Sequence, residues 1–458
     1  MSMINIGLSG VRAFDAALNI TALNTANSNT EGYSRQRVIM GAVSGGVYAA
    51  GRQMGSGVEV TSIRRVVDES AVNNLQIAVN SQSYSSVYLQ SLSFIEEVLD
   101  ADGLKVNENL NDFFASINKA NSDPSSVPLR FEILQKADLL ANTINSVNAR
   151  VNDNLNTSIN TYDTEIGAVN SKLAAIAGLN AEIEQASAAG QDTAGLKDHL
   201  DTLVKDLSSN LSLELVWSGE GTVSIATANG DPLVIGSEAA QLSRDLSSGN
   251  PSDTSLKIDF DGTVFNLKKN VGGSLGARAD YIATNIDPIL ETVDEIAAFL
   301  ADEVNAALGA GFDLNGNPGQ PLFSYTPGKA GQTLKVEITD VNELALSADG
   351  SVGDGSVLKS IYDISSKVMT SGPFSGKTMA DSYSLMLGHV GSETAKYITL
   401  NENNTKQLAT AQQARDSVSG VNTDEEAANL MNLMNAYNAN MKVVSAGNDL
   451  FQTVLNAF

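Results

Sequence analysis

The sequence predicts a multidomain, mainly α-helical and elongated protein with an inserted β-rich domain. Apolar residues recur at helical spacing at both ends of the chain and through a long internal stretch, 128–190. From residue 211 the pattern changes to strict alternation, which is the signature of short strands. After residue 272 the helical spacing returns, so the β-rich domain lies between helices in the chain.

The C-terminal helix carries an apolar seam whose steps of four and three are those of a coiled coil. The seam consists of Leu430, Met434, Tyr437, Met441, Val444, Asn448, Phe451, Leu455 and Phe458. A compatible stripe on the N-terminal helix, residues 1–26, consists of Ile4, Leu8, Val11, Leu18 and Ala22. Chain ends are usually polar and frayed, so we expect the two terminal helices to pack together and against other copies of the chain. We also expect them to be mobile in the isolated protein.

The elements between the termini are predicted from the spacing of apolar residues and from the residues that begin or end helices and turns. An extended or loop stretch over 24–57 leads into a helix at Asp68, and Pro128 suits the first turn of the longest helix. At a rise of 1.5 Å per residue that helix would be about 90 Å long. The predicted helices cover 68–102, 110–117, 128–190, 272–309 and a region from 379, and the predicted strands lie near 211–217, 222–227, 233–235, 256–260 and 264–267.

These elements predict a concentric layout in which the terminal helices are innermost. The terminal polymerisation domain is expected to combine 1–67 with 417–458. The helical rod domain would combine 68–208, 272–311 and 375–416, and the β-rich outer domain would combine 209–271 with 312–374.

The composition excludes several classes of protein. The formal net charge is −25, which argues against nucleic acid and against an anionic membrane as partners. Residues 1–67 are the exception, because they hold six arginines against three acidic residues. The absence of cysteine excludes disulfides and thiolate metal sites. No apolar run is long enough to insert in a membrane, and the N-terminus lacks the features of a cleavable signal peptide.

Two motifs near the ends resemble those of bacterial flagellar rod, hook and hook-associated proteins. The first is an Asn-rich helix followed by Asn-x-x-x-x-Gly-Tyr, here Asn27, Gly32 and Tyr33, and it continues through Ser34 and Arg35. The second motif near the C-terminus is Asp424-Glu425-Glu426, followed by Tyr437. Together they resemble the hook-associated protein 1 family, and internal segments at 123–126, 273–276 and 311–316 agree in order and spacing.

This resemblance implies a structural, non-enzymatic subunit without a cofactor. Such proteins are exported through the flagellar type III apparatus, after a cytoplasmic stage in which a dedicated chaperone holds the C-terminal helix. They then self-associate in a ring-like axial zone at the extracellular hook–filament junction. Their neighbours there are the hook protein and the second hook-associated junction protein.

Several residues are compatible with a metal site or a catalytic site, but a structural role is favoured for each. Asp313-Leu314-Asn315-Gly316 hints at a calcium loop, but Pro318 and Ser324 occupy the positions that need Gly and Glu, so a turn is favoured. His199 and His389 are too far apart in sequence to indicate a triad or a zinc site. Asp424-Glu425-Glu426 could be paired catalytic carboxylates, but an acidic helix N-terminus capped by Thr423 is favoured.

Three alternatives to the junction role remain open. The chain could be another axial protein, such as a second junction protein or a hook-type protein. It could also be a secreted peptidoglycan-cutting enzyme on a flagellar scaffold, although no convergent acid and nucleophile are recognisable. A secreted scaffold with an adhesive outer domain is the third, and it is compatible with the junction role.

Overall fold

In a computed structural model, the chain folds into long helices joined by small antiparallel sheets. The structure describes residues 2–43, 48–49, 52–53, 56–101, 104–219, 221–267 and 271–457. The helices are α1 (Ser2–Ala26), α2 (Glu69–Leu99), α3 (Val106–Ala120), α4 (Val127–Ala188), α5 (Ala194–Ser208), α6 (Gly273–Tyr281), α7 (Asp287–Gly309), α8 (Ala330–Thr333), α9 (Ser356–Asp363), α10 (Met379–Ser419) and α11 (Thr423–Leu455). A π-helical turn, Ile282–Ile286, joins α6 to α7.

The strands form small antiparallel sheets. They are β1 (Gln36–Ala42), β2 (Tyr48–Ala49), β3 (Arg52–Gln53), β4 (Val58–Arg65), β5 (Leu213–Trp217), β6 (Val223–Thr227), β7 (Pro232–Ile235), β8 (Glu238–Ala239), β9 (Gln241–Arg244), β10 (Leu256–Phe260), β11 (Thr263–Asn266), β12 (Phe323–Ser324) and β13 (Lys335–Val336). The larger sheets have the orders β5-β6-β7-β8 and β11-β10-β9, and β1 pairs with β4. The predicted mixture of long helices and an inserted β region is confirmed.

One large hydrophobic cluster joins α2, α3, the first half of α4, α7, α9 and the first half of α10. The long helices enter it through fully buried apolar residues such as Leu92, Ile144 and Ile296. Short elements after α7 complete the cluster, with Phe323 and Leu346 among its buried residues. The segment 312–374 therefore packs on the helical body, and its only strands within the described chain are β12 and β13.

A second cluster joins the remaining half of α4 to α5 and to the strands β5–β10. Asparagines on α4 attach the helix to the strands by pairing with backbone groups. Asn180 donates to the carbonyl of Val223 at 2.8 Å and accepts from its amide at 3.0 Å. Asn170 forms the same pair of bonds with Leu242. The expected grouping of 312–374 with 209–271 differs from these contacts, because the two segments bury their apolar residues in different clusters.

The predicted elements have a mixed outcome. The expected starts of two helices agree with the structure, since Asp68 caps α2 and Pro128 lies in the first turn of α4. The end of α4 at Ala188 is close to the expected Gly190, and α2 ends at Leu99, before the expected residue 102. The structure adds strands β1, β4, β8 and β9 and delimits α5, which carries the exposed His199. The sequence predicts β1 only as extended or loop chain and β4 only as the segment that leads into the helix at Asp68, because both mix arginine with isoleucine or threonine instead of alternating cleanly.

Arg130 holds the start of α4 against the segment that follows α8. Its side chain is 2% exposed. It donates from Nε to the carbonyl of Pro124 at 2.7 Å and from Nη1 to the carbonyls of Leu344 at 2.7 Å and Val341 at 3.2 Å. These backbone carbonyls lie in turns, where no neighbouring strand donates a hydrogen bond to them. The guanidinium of Arg130 supplies the hydrogen bonds instead.

We predict that Arg130→Met lowers the free energy of unfolding by about 3 kcal/mol, because it removes charged hydrogen bonds to carbonyls that stay buried. Chemical denaturation followed by circular dichroism measures the change. Arg150→Met on the exposed face of the same helix is the matched control and should change stability by less than about 0.5 kcal/mol. Equal effects of the two substitutions would contradict the role given to Arg130.

Candidate assembly site

The two terminal helices pack as an antiparallel pair in which glycines let their backbones approach closely. Ile4 at the start of α1 lies against Gly447 near the end of α11, and Gly7 lies against Val444. A Cβ atom at Gly7 would be 2.8 Å from Val444 Cγ2, and one at Gly447 would be 2.7 Å from Ile4 Cγ1. Both distances are shorter than van der Waals contact allows, so a larger residue at either position would force the facing side chain to shift. The predicted packing of the two termini on each other is thus confirmed.

The face of α11 that meets α1 only partly coincides with the predicted seam. It includes Val444, but also Asn440 beside Gly10 and the glycine at 447, which have no apolar side chain to signal them. The seam residues Met434 and Met441 stay 48% and 44% exposed. The other predicted positions that are exposed are Leu8, Ala22, Asn448, Phe451 and Leu455. Those that are half-buried are Ile4, Val11, Leu18, Leu430 and Tyr437. Phe458 lies outside the described residues.

At the other end of the helix pair, Asn24 joins the two halves of the chain. Its side chain is 1% exposed. The amide nitrogen Nδ2 donates to the carbonyl of Gln36 at 2.9 Å and to Oε2 of Glu426 at 3.2 Å. The amide oxygen Oδ1 accepts from the backbone of Gln36 at 3.0 Å and from the hydroxyl of Tyr33 at 2.8 Å. Asn24 thereby fixes the turn of the first motif and the acidic motif in one network.

The acidic motif plays three different roles in this network. Glu426 is 3% exposed and accepts from Asn24. Glu425 pairs with Arg35 at 2.7 Å on the surface. Asp424 is exposed at the start of α11. The expected cap Thr423 is wrong, because the side chain of Asn422 accepts from the amides of residues 424 and 425 while Thr423 is already the first residue of the helix.

Backbone contacts reinforce the link between the motifs. The amide of Arg35 donates to the carbonyl of Ser419 at 2.8 Å, at the end of α10. Arg415 on α10 donates from Nη2 to the carbonyl of Gly32 at 3.0 Å. We call the set Asn24, Tyr33, Arg35, Gln36, Arg415, Ser419, Glu425 and Glu426 the terminal clasp. Both sequence motifs, distant in the chain, therefore contribute to one structural feature.

The turn that leads into the clasp depends on its glycine and its tyrosine. Gly32 has φ +80°, and a Cβ atom there would be 2.5 Å from Thr202 Oγ1 on α5. Burial, together with the carboxylates of Asp198 and Glu426, raises the pKa of Tyr33 to about 12, so its hydroxyl keeps the proton that it donates to Asn24. Asn27 stabilises the end of α1 by donating to the carbonyl of Leu23 at 3.0 Å.

A buried ion-pair cluster attaches β4 to α5 beside the clasp. Arg65 Nε lies 2.9 Å from Asp198 Oδ1, and Arg65 Nη2 pairs with Asp201. Burial raises the pKa of both carboxyls, an effect that Arg65 opposes. Asp198 also accepts from the amide of Ser34 at 3.3 Å, so the cluster positions the residue that precedes Arg35.

At these positions the described side chains pack and form hydrogen bonds and ion pairs. In the part of the chain that the structure describes, no group of three or more histidine, aspartate or glutamate side chains is arranged to hold a metal ion. Asp313 closes a turn by accepting from the amides of Asn315 at 2.7 Å and Asn317 at 2.8 Å. No helix of the described chain has the length and apolarity that a membrane span requires.

Sequence and structure comparisons agree with this arrangement. Residues 412–457 match the family described as Flagellar basal body rod FlgEFG protein C-terminal, which places the chain in the class of flagellar structural proteins. Residues 92–323, about half of the chain, match the Flagellar hook-associated protein FlgK helical domain. The chain belongs to the flagellar hook-associated protein FlgK family.

Full-length relatives are similar throughout. Flagellar hook-associated protein 1 of Escherichia coli strain K12 is 26% identical over 547 aligned residues that cover 99% of each chain. The protein of the same description from Bacillus subtilis strain 168 is 27% identical, over 97% of this chain and 96% of the relative. In fold, the chain is similar to the flagellar hook junction protein FlgK from Burkholderia pseudomallei, with a TM-score of 0.68 at 14% identity over 76% of this chain and 100% of that one.

We predict that Gly7→Ala weakens the α1–α11 pair by about 1–2 kcal/mol, because the added methyl overpacks the contact with Val444. Hydrogen exchange of the α1 amides measures this local stability. Gly178→Ala on α4 is the matched control, since its Cβ meets nothing within 4 Å. It should stabilise the chain by about 0.5–1 kcal/mol, as alanine normally does in a helix. Increased protection of α1 in Gly7→Ala would contradict the close approach.

A second prediction concerns the pH dependence of the Arg65 cluster. A carboxyl whose pKa is higher in the folded than in the unfolded state costs stability when it is ionised, and that cost disappears as the pH falls through the folded pKa. Removing Arg65 raises both pKa values further. Arg65→Met should therefore lower the melting temperature more at about pH 7 than at about pH 5.

Thermal melts at both pH values measure this difference, with Arg64→Met as the control. Arg64 is exposed, so its substitution should change the melting temperature little at either pH. A loss in Arg65→Met that is identical at both pH values would show that the buried carboxylates are not its cause.

Proposed function

We propose that the chain joins the flagellar hook to the filament as a structural subunit, and that it assembles through its terminal helices. Membership of the hook-associated family makes the chain a structural component of the external flagellum. What the residues add is the mode of attachment. The observation that carries it is the apolar surface of α11 that α1 leaves exposed.

This apolar surface is largest beyond the point where α1 begins. Ile4 lies opposite Gly447, so the last two turns of α11 extend past the start of its partner. Leu450, Phe451, Val454 and Leu455 are 60%, 51%, 55% and 59% exposed in this overhang. Contiguous exposed apolar residues mark interaction sites in soluble proteins. The seam residues Met434 and Met441 continue the same exposed surface along the helix.

Helices of neighbouring copies would cover this surface in a ring-like axial zone. The terminal clasp supports this proposal, because it holds the two terminal helices to each other and to the body of the same chain. Each subunit then presents a helix pair of defined orientation. The predicted interface positions Leu8, Met434, Met441, Phe451 and Leu455 belong to this proposed contact, whereas Ile4 and Val444 pack within the chain.

The proposal also names the neighbours of this chain in the flagellum and its chaperone before export. The zone would lie between the hook protein and the second hook-associated junction protein, after export through the flagellar type III apparatus. In the cytoplasm the exposed overhang needs protection from aggregation, and a chaperone that holds the C-terminal helix would provide it. We infer no catalytic role, since the motifs act as hydrogen-bonding and ion-pairing groups of the clasp.

We predict that a chain lacking 430–458 is folded, soluble and monomeric, yet does not restore motility to cells that lack the protein. The body should survive because both hydrophobic clusters lie outside the deleted segment. The double substitution Phe451→Glu/Leu455→Glu isolates the apolar overhang without removing the helix pair. It should also abolish motility, because charged groups at a buried interface cost several kcal/mol.

The matched control places the same two charges on exposed apolar residues elsewhere. Leu385→Glu/Ile398→Glu on α10 changes residues that are 44% and 47% exposed and lie outside the terminal helices. It should restore motility as well as the unchanged protein. Motility restored by the truncated chain would overturn the proposed function, and so would failure of the unchanged protein to be found at the hook–filament junction in labelled flagella.

A further inference from the structure

Two arginines face each other across the β1–β4 hairpin without an acidic partner. Arg37 on β1 and Arg64 on β4 are directly opposite in the antiparallel register. Both side chains are exposed. In the described part of the chain, no ion pair joins either guanidinium to a carboxylate. Opposite residues of an antiparallel pair have Cβ atoms about 5 Å apart, so the two cations lie on one patch of surface.

This arrangement is unfavourable for the isolated chain. Like charges directly opposite in a sheet repel and destabilise the strand pair. Lack of carboxylates cannot be the reason, because the chain has 53 acidic residues against 28 basic ones. A pair of unneutralised arginines on a strongly acidic protein therefore marks a position where the compensating charge comes from outside the chain.

The neighbouring arginines, by contrast, form ion pairs with carboxylates of the same chain. Arg35, just before β1, pairs with Glu425 at 2.7 Å. Arg65, next to Arg64, pairs with Asp198 and Asp201. The strand alternation sends Arg65 toward α5 and leaves Arg64 on the opposite face with Arg37. On β4 the paired Arg65 and the unpaired Arg64 therefore lie on opposite faces of the hairpin.

We infer that the Arg37–Arg64 pair binds exposed carboxylates of a second copy of this chain. The inference rests on the proposed function, in which copies lie side by side. Copies with a net charge of −25 repel one another. Residues 1–67, with six arginines and three acidic residues, are the part of the sequence that is net positive. A contact between this patch and the acidic body of the next copy offsets that repulsion, and guanidinium groups suit carboxylates as bidentate partners.

Charge complementarity also separates this partner from other polyanions. A surface for nucleic acid or for an anionic bilayer needs a wide basic field, because each contact is weak and is screened by salt. Two arginines within an acidic protein provide a local site instead. A carboxylate cluster on a protein surface is the ligand that matches it in size.

The first test reverses the patch in cells. Arg37→Glu/Arg64→Glu should still be produced and exported, but its amount retained in flagella should fall by about tenfold or more, with the protein appearing in the medium. The factor corresponds to the loss of several charge-assisted contacts and the gain of repulsive ones. Lys359→Glu/Lys377→Glu makes the same change in net charge at exposed lysines of the body and should be retained normally.

The outcomes separate this inference from the proposed function. If the unchanged protein is retained at the junction and the arginine and lysine variants are both retained equally well, the inference is overturned and the proposed function stands. If the unchanged protein is not found at the junction, the proposed function fails instead. The melting temperature of purified Arg37→Gln is expected to equal or exceed that of the unchanged protein, since this single substitution removes the cross-strand repulsion without adding a charge. A marked drop would assign the pair a structural role and overturn the inference.

A second test identifies the partner directly. The chain contains no cysteine, so Arg37→Cys provides a unique attachment point for a photoactivatable cross-linker in isolated flagella. Mass spectrometry should find the adduct on a peptide of a second copy that contains exposed aspartate or glutamate. An adduct to the hook protein or another polypeptide would overturn the assignment, and so would binding of the purified chain to phosphatidylglycerol vesicles that requires Arg37 and Arg64.

Discussion

The hydrogen bond between Asn24 and Glu426 closes the chain on itself across 402 residues of sequence. Because it is buried and shares its atoms with Tyr33 and Gln36, neither terminal helix can change orientation without leaving polar groups unsatisfied. Everything between the two motifs must therefore leave the terminal layer and return to the same place. The antiparallel pair α2 and α10, the next helices inward in sequence, satisfies that requirement. Tyr88 and Tyr397 stack between them with ring centroids 4.1 Å apart.

The terminal layer and the body differ in how they are stabilised. The body has apolar cores whose residues are fully buried within the chain. The terminal layer relies on glycine-mediated backbone approach, on a small polar network and on helix faces that stay exposed. A layer built in this way has a defined geometry and still leaves apolar helix surface exposed. A subunit needs both properties if its final contacts are with copies of itself.

The sequence predicted the long helices well and the terminal contacts less well, for identifiable reasons. Pro128 and Gly190 delimit α4 because they restrict or extend the backbone locally. An apolar seam does not reveal which side of a helix an intramolecular partner covers, so the exposed Met434 and Met441 had the same pattern as the buried stripe. Gly447 and Asn440 carry no hydrophobic signal at all. The sequence also does not indicate that 312–374 and the strands of 209–271 bury apolar residues in different clusters, because short elements with few periodic residues do not show which cluster they join.

The distance between the partners of the clasp also dictates the order of events during folding. Closing a flexible loop of this length costs about 5 kcal/mol of chain entropy, more than a small polar network returns. Once α2 and α10 have paired, however, the two ends start from the same place, and nearly all of that cost has already been met by the body. We therefore expect the terminal layer to form after the body and to open before it. Such opening would leave both hydrophobic clusters of the body intact, because they lie outside the terminal helices.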